Sequence, residues 1–468
     1  GASGDTIALA SGASQTGFGR TGTVNWDTTV KTGDFTAANG EGYFIDTTSG
    51  TITMTLPASP SAGNIVAFKD YANTFDSNNL TIARNGSKIG GDTVDATVSV
   101  EGQAATLIFI DSTQGWLVTN AATDADLPRP AFITATGGTV KTSGNFKTHI
   151  FTGPGTFCVS AVGTPSGSDK VDFFVVGAGG GGGSYGGGGG GAGGFRVSNS
   201  AGCVPAPTMS PLIAPASDAG RSVSVQAYPI TVGAGGAAGT GPNNPGAPNT
   251  SSENGQVGTN SVFSTITSAR GGGGSGIVNC WAGSPLSAGG SGGASKGSSS
   301  NPGDQPGYGY PGGSGNSPST SPPQGNPGGK GYDGRSISTN GGGGGGAGAV
   351  GATTCTQDLG GAGGAGSFVA DAFIGGCAPS FGTPGPVSST RYFAGGGGGG
   401  TDAGNSRPAG NGGAGGDGGG GPGGKHPGVS GTAGTVNTGG GGGGAGSGSP
   451  ANAGAGGSGI VMIRYKFQ

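Results

Sequence analysis

Runs of consecutive glycine are the feature that most constrains what this chain can fold into. The string GGGGGGAG occurs at residues 186–193, 341–348 and 439–446, and a further run of six glycines occupies 395–400. Glycine loses more backbone entropy on folding than any other residue, and it brings no side chain to a hydrophobic core. A chain built on such runs therefore either leaves them disordered or holds them through backbone hydrogen bonds.

Two structures are open to these runs. Flexible linkers are the ordinary interpretation, because linkers are typically mixtures of glycine and serine. Packed polyglycine helices are the alternative, since polyglycine can adopt the extended left-handed helix of polyproline, with three residues per turn and no internal hydrogen bonds. Without Cβ atoms, neighbouring helices can approach closely enough to bond laterally, at about 1 kcal/mol net per hydrogen bond.

Apolar segments within and after the runs favour the packed helices. Residues 222–232, 260–267 and 391–394 interrupt the glycine, and an apolar strand-like segment follows it at 460–467. A flexible tether has no need of such a strand. We therefore predict that the glycine runs form buried polyglycine helices and that the other inserts form loops at the helix ends.

Composition and charge exclude several other classes of protein. Glycine and proline number 119 and 29 of the 468 residues, but no strict Gly-X-Y period occurs, which excludes collagen. Charged residues make up only 9%, unlike in most disordered chains. No apolar run approaches the roughly 20 residues of a membrane-spanning helix. The net charge of −3 lacks the excess of positive charge that is typical of proteins that bind nucleic acid. We expect neither membrane insertion nor nucleic-acid binding.

The glycine is unevenly distributed, since residues 1–150 hold 19 of the 119 glycines and residues 151–468 hold the other 100. In the first part, segments such as 51–56 and 79–83 alternate apolar and polar residues, which predicts half-buried strands. No segment there shows a sustained helical period. We expect all-β N-terminal modules followed by a glycine-rich domain of packed polyglycine II helices bracketed by β-strands, with essentially no α-helix.

Six segments follow from these shifts in composition. The strand at 171–176 enters the glycine-rich region and the strand at 460–467 leaves it, so pairing the two would close the region at its base. Gly1 is not an initiator methionine and no signal-peptide pattern follows it, which leaves open whether residues precede it. The segments are a leader or attachment segment (1–20), a β-rich module (21–120), a linker (121–130), β-strands at the base of the glycine-rich domain (131–176), a polyglycine-helix domain with variable loops (177–459) and a closing strand (460–468).

Catalytic and cofactor-binding patterns are nearly absent from the sequence. Of the two histidines, His149 falls in a predicted strand and His426 in a loop. The carboxylates are scattered, and none suggests the pair about 5–10 Å apart that glycoside hydrolysis needs. Matches to GxGxxG, such as 177–182, are expected by chance here, and glycine follows where a dinucleotide site requires a helix. We predict a non-enzymatic protein without catalytic residues, metal or cofactor.

The cysteines are odd in number and have no CxxC spacing, so they cannot all pair within one chain. Free thiols acting as small apolar residues fit assembly in a reducing cytoplasm. A disulfide between Cys355 and Cys377 stays open as an alternative. Zinc is not expected without nearby histidine. The five residues are Cys158, Cys203, Cys280, Cys355 and Cys377.

Large aromatic rings in the predicted loops are the candidate binding residues. An exposed ring can stack on the face of a sugar or anchor a protein receptor. The alternative for each ring is that it packs inside its own loop and stabilises it. The candidates are Trp281, Tyr308, Tyr310, Tyr332, Phe373 and Phe381.

Strand-bracketed motifs in the second region resemble those of a known domain. They are VDFFVVGAG at 171–179, AYPITVGAGG at 227–236, NSVF at 260–263 and GGSGIVMIRY at 456–465. Together they look like the glycine-rich domain of structural and tail-fibre proteins of marine tailed bacteriophages. The region is also similar in kind to the tip adhesins of some T-even-type phages, in which polyglycine helices carry receptor-contacting loops at one end.

The first region resembles a module that is common in the same tail fibres. Its matching motifs are GDFTAANGEGYF at 33–44, LPASPSAG at 56–63 and KDYAN at 69–73. With the glycine-rich motifs, the resemblance covers roughly 30–468.

The resemblance implies a virion tail-fibre or adhesin protein that is extracellular after release. It would form a homotrimer, contact other tail proteins, and bind a bacterial cell-surface glycan or outer-membrane protein. A purely structural subunit, either a virion decoration or an extracellular filament protein, is the main alternative, because a glycine lattice could serve only for stiffness. A polysaccharide depolymerase is disfavoured, because the long β-helical repeats and acidic pairs usual in such enzymes are not visible.

Overall fold

The computed structural model divides the chain into two units. The first comprises Gly1–Ala131 with Thr164–Gly167, and the second comprises Phe132–Gly163 with Ser168–Gln468. The predicted leader (1–20) and linker (121–130) lie outside the described residues. The structure describes residues 24–120, 131–164, 167–200, 209–213, 220–240, 253–276, 288–297, 311–333, 339–355, 358–376, 378–402, 410–448 and 450–468.

The fold is nearly all β, as the sequence predicts. The one α-helix in the described ranges is the short α1 (Asp371–Ile374), and a single 3₁₀ turn follows it at Ala378–Ser380. Within those ranges, no helix is long and apolar enough to cross a membrane.

The first unit contains two sheets whose strands alternate along the chain. One sheet has the order β1-β3-β5-β8-β9 and the other the order β2-β4-β6-β7. The strands are β1 (Asn25–Lys31), β2 (Phe35–Thr36), β3 (Glu41–Ile45), β4 (Ile52–Thr55), β5 (Ile65–Asp70), β6 (Leu80–Ala83), β7 (Ala96–Val98), β8 (Ala104–Asp111) and β9 (Gly115–Val118).

Along the first six strands the chain passes back and forth between the two sheets. Strands β1, β3 and β5 are parallel neighbours, as are β2, β4 and β6, whereas β7, β8 and β9 pair antiparallel. The chain therefore changes sheet at each of these steps, in the manner of a short parallel solenoid. Alternating side chains such as Ile52 and Met54 on β4 point inwards, where they join Ile45, Phe68 and Trp116 in one core.

A buried carboxylate fixes the loop after β5. Asp70 is 1% exposed, and its oxygens accept hydrogen bonds from the backbone N–H groups of Thr74 (3.2 Å), Phe75 (3.2 Å) and Gly102 (2.9 Å). The carboxylate thus joins the turn at 71–75 to the segment before β8.

Replacing Asp70 by alanine is expected to destabilise the first unit by about 2 kcal/mol or more, because buried N–H groups would lose their acceptor. Chemical denaturation followed by fluorescence of Trp116 would measure the change. Asp76→Ala is the matched control, since the Asp76 carboxylate is exposed and accepts a bond from the adjacent Ser77 hydroxyl. Equal effects of the two substitutions would contradict the role of Asp70.

The second unit contains two larger sheets and two short hairpins. The sheets have the orders β10-β13-β17-β18-β19 and β11-β12-β24-β14-β15, and β16 also pairs with β14. The strands are β10 (Thr134–Thr136), β11 (Thr139–Ser143), β12 (Phe146–Phe151), β13 (Gly155–Ala161), β14 (Lys170–Val176), β15 (Phe195–Val197), β16 (Arg221–Ser222), β17 (Ala227–Thr231), β18 (Ser261–Phe263), β19 (Ile266–Ser268), β20 (Tyr332–Asp333), β21 (Thr339–Asn340), β22 (Ser367–Ala370), β23 (Thr390–Phe393) and β24 (Ile460–Lys466).

The strands at the two ends of the glycine-rich region pair with each other, which confirms that prediction. β24 runs antiparallel to β14, with Asp172 opposite Arg464 and Val176 opposite Ile460, and antiparallel to β12 on its other side. Alternate residues of this sheet face two different cores. Phe173 and Ile463 face the sheet formed by β13, β17 and β18, whereas Phe174 packs with side chains of β22, β23 and α1.

The glycine runs form extended helices that hydrogen-bond to their neighbours. In residues 177–184, successive N–H groups donate in turn to 188–194, 253–259 and 454–457, with N···O distances of 2.9–3.1 Å, and the cycle repeats every third residue. No bond in this set closes within the segment. A three-residue period without internal hydrogen bonds is the polyglycine II helix, so the predicted helix type is confirmed.

Each interior helix has six neighbours. The carbonyls of 177–184 accept hydrogen bonds from three further segments: 236–239, 271–274 and 442–445. The same sixfold pattern surrounds 186–194, 341–347, 394–401 and 439–447. All five interior helices are buried almost throughout. We call this hydrogen-bonded array the polyglycine bundle. In this array the backbone N–H and C=O groups of neighbouring helices pair with each other, so side chains are not needed as hydrogen-bonding partners.

One outer helix of the bundle shows a face that carries exposed side chains. In the segment that follows β17, every third residue from Gly233 to Gly239 is buried, whereas Ala234, Ala237 and Thr240 are exposed. Within the interior helices the side chains that do occur are small and buried, such as Ala178, Ala192 and Ala445. The exposed side chains of the outer helices therefore mark the lateral limit of the bundle.

Candidate functional site

The first two interior helices are joined by a turn at the end of the polyglycine bundle opposite the sheets. The helix 177–184 leaves β14, the chain reverses at Tyr185, and the helix 186–194 returns to β15. At about 3.1 Å per residue, this turn lies about 25 Å from the end of β14. We call this end of the bundle the loop end.

Two charged side chains are buried at the loop end. Lys296 is 5% exposed and Glu253 is 8% exposed, and among the described residues of 177–459 no other charged side chain is as buried. Burial lowers the pKa of Lys296 to about 8, although the negative charges of Asp402 and Glu253 oppose that shift. Buried charges are costly unless other groups compensate them, so the burial of these two in a bundle with few charged residues marks a candidate site.

Tyr185 forms a turn at this end and has a left-handed backbone conformation. Its φ is +52°, a left-handed value that side chains other than glycine rarely adopt. The Nζ atom of Lys296 lies 4.7 Å from the centroid of the ring. Burial raises the pKa of the Tyr185 hydroxyl, and the negative charge of Asp402 raises it further. Tyr185 as a whole is partly exposed.

Asp402 is held beside this ring by the strand β21. Its N–H donates to Oδ1 of Asn340 (2.9 Å), and its carboxylate accepts a bond from the hydroxyl of Thr339 (3.4 Å). A Cβ added at Gly186 would lie 2.8 Å from the Cβ of Asp402, which places the aspartate against the turn at Tyr185. The loop-end cluster, as we define it, consists of Tyr185, Glu253, Lys296, Thr339, Asn340 and Asp402.

The loop-end cluster brings an aromatic ring, hydroxyl groups, carboxylates and an ammonium group into one region, where Tyr185 and Asp402 are partly exposed and the other members are buried. Such a mixture can bind an amphipathic ligand that has both C–H and hydroxyl groups. Within the described ranges, no group of three or more His, Cys, Asp or Glu side chains could hold a metal ion.

The structure describes three of the six aromatic residues that the sequence offers as binding candidates. Trp281, Tyr308 and Tyr310 lie outside the described residues. Tyr332 is partly exposed at the loop end, where β20 pairs it with Asn340 of the cluster.

Phe373 and Phe381 lie near the sheets and not at the loop end. Phe373 on α1 is fully buried, with its centroid 6.4 Å from that of Phe174, so its ring is not presented to a receptor. Phe381 is partly buried against the same core. For these two rings the structure favours the alternative of packing within the fold.

Tyr185, Lys296 and Asp402 are not among the binding residues that the sequence predicts. Tyr185 is the one aromatic residue that interrupts two adjoining glycine runs, at 179–183 and 186–191. That isolation was a usable signal. No comparable signal marks Lys296 or Asp402, because their proximity depends on how distant helices are arranged.

The histidines have structural partners. Nδ1 of His149 donates to the carbonyl of Gly137 (2.7 Å), since a carbonyl can only accept, and Nε2 then accepts from the Tyr465 hydroxyl (3.1 Å). Nδ1 of His426 lies 2.8 Å from the hydroxyl of Ser447, a residue 2% exposed, so this contact fastens a turn at the loop end.

His149 is expected to make the second unit less stable in acid. Burial is the main cause that lowers its pKa below the ordinary 6.5, partly offset by the bond to Gly137. The unfolded chain therefore binds the proton more readily, and stability falls as the pH drops below about 6.5 towards the folded-state pKa. Melting temperatures at pH 7.5 and 5.5 would show a smaller acid-induced decrease for His149→Phe than for the wild type. An equal decrease in both proteins would contradict this.

The cysteines in the described ranges are exposed free thiols, Cys158 and Cys355. The disulfide between Cys355 and Cys377 that the sequence left open is absent, because Cys355 is free. Cys203, Cys280 and Cys377 lie outside the described residues.

A lattice of polyglycine helices on a β-sheet base defines a glycine-rich structural domain. Residues 151–466 match the model of a family described as a glycine-rich domain, and the chain belongs to that family. The match begins at the last residue of β12 and ends at the last residue of β24. A search of curated proteins found no match. The family identifies the type of domain and not its biological source.

Proposed function

We propose that this chain is a non-enzymatic phage tail-fibre or adhesin protein whose glycine-rich domain presents binding residues at its loop end. The proposal rests on one observation, the contrast between the interior of the polyglycine bundle and its loop end. Its interior consists of glycine almost alone, whereas buried charge and a strained aromatic residue occur together at the loop end. Rigid elements that position functional residues at loops are a common basis of recognition.

The bundle is suited to presenting a variable surface. Most of its stability comes from backbone hydrogen bonds along the helices and from the cores beside β14 and β24, which lie away from the loop end. Substitutions there can change binding at little cost to the scaffold. A cell-surface glycan or an outer-membrane protein is the proposed receptor, and the virion tail is the proposed location.

An apolar sheet face on the first unit supports association into a homotrimer. On the outer face of the sheet containing β1, Trp26 is 41% exposed and its ring lies 5.0 Å from that of Phe44. Ile110 on β8 is 43% exposed. Exposed apolar faces of this kind are typical of subunit interfaces.

A binding assay on whole cells would test the adhesin function. Fluorescently labelled protein would be applied to a panel of Gram-negative marine isolates, and bound label would be measured by flow cytometry. We expect at least one strain to bind the wild type and to bind Ala237→Ser equally, because Ala237 is exposed on an outer helix. A panel in which no strain binds above the level of an unrelated protein would contradict the proposal.

A structural subunit is the second candidate. Apolar side chains are exposed at Val350 (61%) and, in the turn before the helix 439–447, at Val436 (68%), where copies of the chain could pack together. Light scattering and electron microscopy of the same sample separate the candidates. A particle of three chains supports the fibre, whereas polymers that lengthen with concentration support the filament.

A further inference from the structure

We propose that the loop-end cluster is a binding site for a neutral or amino-bearing hexose of a surface glycan, with Tyr185 as the stacking residue. This inference rests on the proposed adhesin function and names the ligand class of its site. It depends on three features of the cluster: a partly exposed aromatic ring, hydrogen-bonding groups beside it, and the sign of the local charge.

The ring of Tyr185 supplies the stacking surface. A sugar ring presents C–H groups on its faces, and an aromatic side chain with an apolar body and a polar tip matches such a face. Lys296 lies over the ring at 4.7 Å, which holds the ring in place, and the ring stays partly exposed. The positive φ of Tyr185 is a strained conformation, and strain of this kind is often maintained at functional sites.

The groups beside the ring suit the hydroxyls at the edge of a sugar. The Asp402 carboxylate is partly exposed and can accept bonds from hydroxyl groups, and the Thr339 hydroxyl that already donates to it orients one oxygen. The N–H of Asp402 is fixed on Asn340, so the backbone of the aspartate is held before a ligand arrives. Hydrogen bonds that involve a charged acceptor are stronger than neutral ones.

The charges of the cluster set the class of sugar. Lys296 carries one positive charge, whereas Asp402 and Glu253 carry two negative charges, and both of these act on Lys296. The net negative charge repels uronic and sialic acids, because like charges brought together at a binding site lower affinity. It permits neutral hexoses and favours amino sugars.

Saturation-transfer NMR on the full chain would test the site. The probes are the methyl glycosides of glucose, galactose, N-acetylglucosamine, glucosamine and glucuronic acid. We expect saturation transfer to at least one neutral or amino glycoside. We expect the glucuronide to bind at least about tenfold more weakly than that glycoside. Tyr185→Gly should abolish the transfer without lowering the melting temperature, since glycine adopts a positive φ without strain. Asp402→Asn should weaken it, and Tyr71→Ala is the control, because Tyr71 is an exposed tyrosine of the first unit.

The outcomes separate the sugar site from the adhesin function. The proposed site is wrong if saturation transfer persists in Tyr185→Gly. It is also wrong if transfer to the glucuronide is as strong as transfer to the neutral and amino glycosides. A wild type that binds cells but shows no transfer to any glycoside also overturns the site and leaves the adhesin function standing. A wild type that binds neither cells nor glycosides overturns both.

Discussion

Replacing Gly190 by alanine is expected to destabilise the glycine-rich domain by about 3 kcal/mol or more. Gly190 belongs to an interior helix, and a Cβ there would lie 2.1 Å from the carbonyl oxygen of Gly180. The obstructing atom is backbone that itself forms hydrogen bonds within the lattice. It cannot rotate away as the end of a flexible side chain could, so the helices must separate and lose hydrogen bonds.

The control for this prediction is Ala237→Ser, which adds one atom on the exposed face of an outer helix. Its effect should stay within about 0.5 kcal/mol. Calorimetry would compare the two melting temperatures, and hydrogen exchange would follow the glycine amides. If Gly190→Ala melted at the wild-type temperature with its amides still protected, the lattice would not depend on close approach of the backbones.

The type of fold could be predicted because glycine runs leave few options. Lateral hydrogen bonding is the one way to order them, and apolar segments such as 460–467 show where a sheet must begin. The pairing of β14 with β24 follows from the same argument. An outer helix also leaves a signal in the sequence, because exposed side chains recur at every third residue, as at Ala234 and Ala237.

The arrangement of the interior helices could not be predicted. A run of six identical residues looks the same after a shift of three, so nothing in 341–346 specifies its register. The adjoining strands and loops set that register instead. The loop-end cluster was hidden for the same reason, since Tyr185, Lys296 and Asp402 are brought together by helices that carry no distinguishing side chains.

The coiling of the first unit could not be predicted either, for a different reason. The alternation of apolar and polar residues in β4 and β6 predicts strands with one buried face. It does not tell parallel from antiparallel pairing, because both have a two-residue period. The assignment of successive strands to alternate sheets therefore needed the structure.

Ending the chain at Gly459 is expected to prevent folding of the glycine-rich domain. The missing β24 pairs with β12 through six residues and with β14 through five, so its loss divides the central sheet. Its side chains alternate between two cores, with Met462 on one side and Ile463 on the other. Both cores would open to water at once, and a bundle without a base would have nothing to fix its register.

Calorimetry of the truncated chain should show the transition of the first unit without that of the second. Removing Gln468 alone is the control, because that residue is exposed and lies beyond β24. If the truncated chain is too insoluble to measure, Ile463→Ala gives a graded form of the test, with an expected loss of about 2–5 kcal/mol. Protected glycine amides in the truncated chain would mean that the bundle folds independently of its sheet. The polyglycine helices would then have to set their own register, which their sequence gives them no means to do.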